Sequence, residues 1–262
     1  MSNRESLSSI VFLCREDCKI PAGVSLLAGH TAVADIWVIG AAPFQPEHQF
    51  GDVPIHSLPV VEQTSICAPL NEVLQRSVGS FVVVVDGEDS VDPKYLISAR
   101  ELMDADTAGL LCWSRLDGQI TAEYRQELSL SAILCDPIPR CFLLRKSALG
   151  ELGGFSESSF LDPVADAVIR LMGGGTRFKI VPEALHRIWC NPARRTRIAS
   201  HRQERFDMLW RNNRALCEAN MPAFAWYECM RFAEVSEWKL FLTAQHERAL
   251  ALIATNTTGI EH

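Results

Sequence analysis

The feature that most constrains the fold is a recurrence of short, continuously apolar runs. They are SIVFLC (9–14), DIWVIG (35–40), VPIHSLPV (53–60), FVVVVD (81–86), AGLLCW (108–113), CFLLR (141–145) and FKIVP (178–182). The early ones are rich in β-branched residues and carry no polar alternation, which suits strands buried on both faces. Helix-length stretches lie between them, including 22–33, 68–78 and 92–104. In the last of these Asp92 is placed to cap, Pro93 fits the first helical position, and Tyr95, Leu96, Ala99, Leu102 and Met103 form the apolar stripe. Alternating strands and helices predict an open α/β sheet, mostly parallel, with right-handed crossovers and helices on its faces. Ligands of such sheets sit beyond the carboxyl ends of the strands.

The texture changes after residue 190. Asn191-Pro192 is a break, and a nearly continuous helical pattern follows, in which Phe206, Leu209, Trp210, Asn213 and Leu216 fall on one face. A second, very apolar stretch runs from Phe224 to about Ile253. The organisation read here is therefore an α/β domain over residues 1–190 and a helical C-terminal appendage over 191–262, packed on the core or, alternatively, against a second subunit as a homo-oligomer or a membrane surface. The charge divides along the same line, with 15 basic against 24 acidic residues before position 191 and 10 against 8 after it. Seven arginines fall within 194–214, facing only Glu204 and Asp207. Such a patch favours phosphates, anionic lipid or an acidic partner. The acidic remainder argues against nucleic acid.

The start, MSNRESLSSIVFL, lacks a secretory h-region of proper length and a small-residue cleavage site, and no window approaches a membrane-spanning run, so a cytoplasmic location is expected. Nine cysteines without a C-x-x-C pair read as reduced thiols filling the core.

At the end of FVVVV the chain turns acidic, with Asp86, Glu88 and Asp89 around Gly87. Alternation along an extended chain would turn Asp86 and Glu88 to the same side. Carboxylates so placed suit Mg²⁺ or Mn²⁺, held together with substrate phosphates. A solvated acidic turn, with Asp92 capping the next helix, is the plain alternative.

Taken in order, the motifs resemble the inverting GT-A glycosyltransferases of the family 2 type. That family has a helix with an Asn, a Gly-containing approach, and a strand ending in "LDxDD" followed by "xxPxxL". This chain reads Asn71, Gly79, then SFVVVV, Asp86-Gly-Glu88-Asp89, Pro93 and Leu96. Further on the family has a strand with Arg, a "GGF" loop, an acidic segment leading into a helix, and "VPE". Here these are CFLLR ending at Arg145, Gly153-Gly154-Phe155, Asp162 and Asp166 with Arg170-Leu171, and Val181-Pro182-Glu183. The likeness spans about residues 8 to 190.

The resemblance implies a GT-A fold (the nucleotide-diphospho-sugar transferase superfamily) and a hexosyltransferase-like enzyme. Such an enzyme moves a sugar, with inversion and metal assistance, from a nucleoside-diphosphate sugar to a glycan, lipid-linked or small-molecule acceptor. It places Asp86 and Glu88 at a divalent metal and the donor diphosphate, and Asn71 among the donor-binding residues. The metal would act as a Lewis acid on the leaving diphosphate. The general base that inversion requires falls on Asp166 or Asp162, since Val164 stands at the family's position. Asp162-Pro163 also reads as a helix start, and Asp166 with Arg170 as an i,i+4 pair. His186 falls near a metal-ligand position of some members, or is structural. Glu16 and Asp17 stand near the expected nucleotide edge, or are loop acids.

The departures are specific. Ala41-Ala42-Pro43 stands where nucleoside-binding aspartates are usual, and Leu70 where an arginine is usual. Arg194, Arg195 and Arg197 are candidates to replace that arginine at the diphosphate, since guanidinium forks match phosphate oxygens; the exposed face of a helix is the other reading. The losses support a second class, a degenerate GT-A-fold binding or assembly protein. A nucleotidyltransferase ranks last, because LCREDCK after the first strand contains no glycine to cradle phosphates.

Overall fold

The computed structural model describes residues 7–14, 22–40, 52–60, 65–116, 119–122, 128–135, 141–189 and 192–221. Glu16, Asp17, Ala41-Ala42-Pro43 and the stretch from Phe224 to Ile253 lie outside these residues.

Each apolar run forms a strand: β1 (Ser8–Leu13), β2 (Val33–Gly40), β3 (Ile55–Pro59), β4 (Phe81–Asp86), β6 (Thr107–Leu116), β8 (Phe142–Arg145) and β9 (Arg177–Ile188). Two short strands, β5 (Ser90–Val91) and β7 (Gln119–Ala122), join them. The sheet order is β3-β2-β1-β4-β8-β6-β9-β5, with β7 paired to β6. The strands β1 to β4, β6 and β9 run one way, and β8 lies antiparallel between β4 and β6. The sheet is thus mostly parallel, as the continuous apolar runs require.

Strand β4 shows why. Val82 and Val84 belong to one hydrophobic core, whereas Phe81, Val83 and Val85 belong to a second. With both faces covered there is no polar side to encode, and each buried valine contributes about 1.5–3 kcal/mol relative to exposure. Helices α1 (Ala22–Leu27) and α3 (Pro93–Leu102) cover the second face. Asp92 caps α3 by accepting from the Lys94 N–H (2.9 Å), and the Tyr95 hydroxyl donates to the Leu110 carbonyl of β6 (2.7 Å). The first face is covered by α2 (Cys67–Arg76), α4 (Leu130–Cys135), α5 (Lys146–Glu151), α6 (Pro163–Gly173) and α7 (Pro192–Asn220).

Helix α7 places Phe206, Leu209, Trp210 and Cys217 in the same core as β4 and α6. Its described part is thus continuous with the α/β layers. It kinks at Asn213, whose side-chain amide donates to the Leu209 carbonyl (2.9 Å) and to Asp166 (2.7 Å). No helix among the described residues is long and apolar enough to cross a membrane. Five of the six described cysteines are buried, and burial pushes the Cys217 thiol up to about 12, in keeping with core filling.

Two elements differ from the sequence expectation. The helix over 22–33 stops at Leu27. Strand β9 does not end at Pro182 but continues to Ile188, because a register irregularity between Cys112 and Trp113 of β6 lets the chain bulge past Pro182 and Glu183. A proline cannot donate to the ladder and is tolerated at a bulge. The continuation carries His186 into the sheet, where Val91 of β5 pairs with it.

Candidate active site

Past Asp86 the chain tightens into a turn rather than staying extended. The Glu88 N–H donates to Asp86 Oδ1 (3.2 Å) and the Asp89 N–H to the Asp86 carbonyl (2.8 Å). Asp86 and Glu88 remain partly exposed, and Asp89 turns inward to 1% exposure. The three acids nevertheless share one neighbour, the guanidinium of Arg194, itself 1% exposed. Its two terminal nitrogens donate to the two Asp89 oxygens, Nη2 to Oδ2 at 2.9 Å and Nη1 to Oδ1 at 2.5 Å. Nη2 also stands 3.4 Å from Asp86 Oδ2, and Nη1 stands 3.8 Å from Glu88 Oε2. This is the planar, bidentate arrangement in which arginine pairs best with a carboxylate.

The pair is locked from behind. The Trp189 N–H donates to Asp89 (3.0 Å), and Arg194 donates to the Trp189 carbonyl (2.6 Å). His186, 2% exposed, has Nε2 3.3 Å from Asp89 and Nδ1 2.9 Å from the Ser114 hydroxyl. Burial alone would raise the Asp89 carboxyl, but the bonds from His186 and Arg194 outweigh it and hold it below the ordinary carboxylate range. On Arg194 burial acts to lower; the Asp89 bonds and the nearby Asp86 and Glu88 charges prevail and raise it.

Above the acids opens a cavity of about 370 Å³, within the size range of small-molecule sites. It lies at the carboxyl ends of β1 and β4, where an α/β sheet is expected to bind its ligand. Asp86 and Asp89 line it together with Phe142 of β8, and the start of α6 forms a wall. Helix α7 closes the other side with Arg197, His201 and Arg205. Asp162 lies on the α6 wall. It caps that helix by accepting from the Ala165 N–H (3.0 Å), and its other oxygen takes Arg205 Nε (2.7 Å). Arg205 is fixed in turn by the Ile133 and Leu134 carbonyls at the end of α4. The Arg197 side chain lines the cavity half-buried.

Not all the residues singled out in the sequence meet there. Asp166 is buried and does not line the cavity. One of its oxygens takes Arg170 Nε (2.8 Å) and the other the Asn213 amide (2.7 Å). Arg170 reaches on to the Gly154 carbonyl (2.8 Å). Asn71 spends its amide on the same loop, accepting from the Phe155 N–H (2.8 Å) and donating to the Phe155 carbonyl (2.9 Å). Leu70 is core. Arg195 is on α7, and its side chain lies outside the described residues.

The set Asp86, Glu88 and His186 does not fit a divalent ion. Both ring nitrogens of His186 are engaged elsewhere, and the guanidinium of Arg194 faces the two carboxylates. Among the described residues no group of three or more His, Cys, Asp or Glu side chains is arranged to hold a metal. The Asp89–Arg194 pair was missed in the sequence. Its partners are 105 residues apart, and the only hint was three acids at a buried strand end with no cation nearby.

Neither a family model nor a curated protein sequence matches the chain. Solved structures do match it. S. aureus TarS 1–349 in complex with UDP-GlcNAc is 16% identical, with a TM-score of 0.61, over 86% of this chain and 71% of that one. In another S. aureus TarS structure the likeness covers 86% of this chain and 42% of that one. The mannosyltransferase PcManGT from Pyrobaculum calidifontis, in complex with GDP-Man and Mn²⁺, is 12% identical, with a TM-score of 0.51, over 96% of this chain and 88% of that one. At such identities the likeness establishes the fold, and the chain has the GT-A fold of these glycosyltransferases.

Proposed function

We propose that this chain is a glycosyltransferase that moves a sugar from a nucleoside-diphosphate sugar to an acceptor hydroxyl with inversion. The observation that carries the reading is the cavity at the carboxyl ends of β1 and β4, lined by a carboxylate, Asp162, and by Arg197 of α7. Its support from outside the chain is the shared fold, since TarS was crystallised with UDP and with UDP-GlcNAc, and PcManGT with GDP-Man and Mn²⁺.

In this reading the donor diphosphate lies against Arg197 of α7, whose guanidinium fork matches phosphate oxygens and balances the charge gathering on the leaving group. Asp162 takes the proton of the acceptor hydroxyl as its oxygen attacks the anomeric carbon. The bond from that carbon to the diphosphate oxygen breaks on the opposite face, and the nucleoside diphosphate departs. The Ala165 and Arg205 bonds leave each Asp162 oxygen a lone pair for the incoming hydroxyl. Asp166 and Asn71 act as positioning residues, through the loop that precedes this wall.

Turnover of a panel of nucleoside-diphosphate sugars, followed by release of the diphosphate with mono- and oligosaccharide or lipid-linked acceptors, tests the reading. Asp162→Asn keeps a good helix cap but removes the base and the Arg205 ion pair, so a loss of about 10²–10⁴ in kcat is expected with only a modest drop in melting temperature. A full-rate Asp162→Asn enzyme rules out this base. A second reading, a binding protein without transfer, is favoured by the structural engagement of Asn71, Asp166 and His186. It is the outcome if nucleotide sugars bind and none is consumed.

A further inference from the structure

We infer that the Arg194 guanidinium is the resident cation of the acidic strand end, so that this chain handles a nucleoside diphosphate without a divalent metal ion. The inference rests on the sugar-transfer reading for its substrate and on the site's geometry for everything else.

Three observations carry it. First, the guanidinium already meets all three acids, binding both oxygens of Asp89 and standing 3.4 Å from Asp86 and 3.8 Å from Glu88. A magnesium ion demands near-octahedral oxygens at about 2.0–2.1 Å, and beside Asp86 and Glu88 it would stand against a fixed positive charge. Second, Arg194 has no easy way out. It is 1% exposed and also bonded to the Trp189 carbonyl, and the Trp189 N–H returns to Asp89. Withdrawing it would leave a buried carboxylate unpaired, the costly state for a buried ion pair. Third, the other nitrogen ligand in reach is spent, since His186 lies between Ser114 and Asp89.

The charge a metal would bring to a leaving diphosphate is instead available on α7. Arg197 lines the cavity from the same helix that carries Arg194 at its start, while Arg205 is paired with Asp162. One helix thus neutralises the acids from below and presents positive charge from the side.

The test uses the full chain and has two arms. In the first, Mn²⁺ is titrated without nucleotide and followed by the electron paramagnetic resonance signal of the free ion. Wild type is expected to take up no Mn²⁺ that Asp86→Asn releases. Arg194→Met, where circular dichroism shows it folded, is expected to bind Mn²⁺ at least about tenfold more tightly than wild type. Uptake by wild type that Asp86→Asn abolishes overturns the inference, and this comparison does not need the Arg194 variant. In the second, calorimetric affinities for UDP and GDP are compared in EDTA and in Mn²⁺. Equal affinities support the inference. Binding that vanishes in EDTA and returns with Mn²⁺ overturns it while leaving the sugar-transfer reading intact. If neither nucleotide binds under either condition, the sugar-transfer reading fails, and the Mn²⁺ titration still decides whether Arg194 holds the cation position.

Discussion

Asp89 and Arg194 form a pair of buried, opposite charges, and such pairs are costly to break one side at a time. Arg194→Met is expected to destabilise the fold by about 3–5 kcal/mol, because it leaves the Asp89 carboxylate with only His186 and the Trp189 N–H. Chemical denaturation of the variant beside wild type measures this. The same pair predicts an acid sensitivity. The Asp89 carboxyl is held below its ordinary value in the folded chain, so its contribution is fully present above about pH 4 and lost as pH falls through the depressed value. Melting temperatures should therefore drop on acidification in wild type, and the drop should flatten in Asp89→Asn. A parallel decline in both proteins would remove Asp89 as the cause. The three acids were visible in the sequence, but the cation that answers them was not. Arg194 stood in the sequence as one of three arginines that could meet the diphosphate, and only the crossing of α7 over the end of β4 assigns it to Asp89.

Between residue and fold stands the loop Gly153-Gly154-Phe155, held by α2 and α6 together. Gly153 and Gly154 have φ of 79° and 85°, the left-handed region that glycine adopts without strain. A Cβ on Gly154 would sit 2.4 Å from Asn71 Oδ1, the atom that accepts from Phe155. Gly154→Ala is thus expected to cost more than the roughly 1–2 kcal/mol of the left-handed conformation alone, read by thermal unfolding. Gly153→Ala meets open space and should cost only that conformational part. These elements were legible where local rules govern: strands from apolar runs, and Asp92 and Asp162 as caps. What escaped was set by tertiary geometry. The bulge that carries β9 past Pro182 depends on the register with β6, and it decides that His186 faces Asp89. Alternation likewise suggested a shared face for Asp86 and Glu88; the chain instead turns after Asp86, and it is Asp89 that lines the cavity beside it.

At the scale of the whole molecule, the described part of α7 shares a core with the layers before residue 190. The charge and texture change near residue 190 is real, yet Phe206, Leu209 and Trp210 of α7 fill the core over α6, and Arg194, Arg197 and Arg205 complete the site. We propose that residues 1–190 do not form an independent domain. Cut after Trp189, the chain is expected to lose its cooperative thermal transition and bind a hydrophobic dye; a sharp transition in the truncated protein would restore the two-part division. The most direct measurement of the central claim, that the cavity receives a nucleoside diphosphate, is the calorimetric affinity of UDP and GDP for wild type and for Arg197→Ala. Arg197 lines the cavity without supporting the core, so the variant should keep the wild-type melting temperature and lose at least about tenfold in affinity. Binding that Arg197→Ala leaves unchanged, or no binding by wild type, would contradict it.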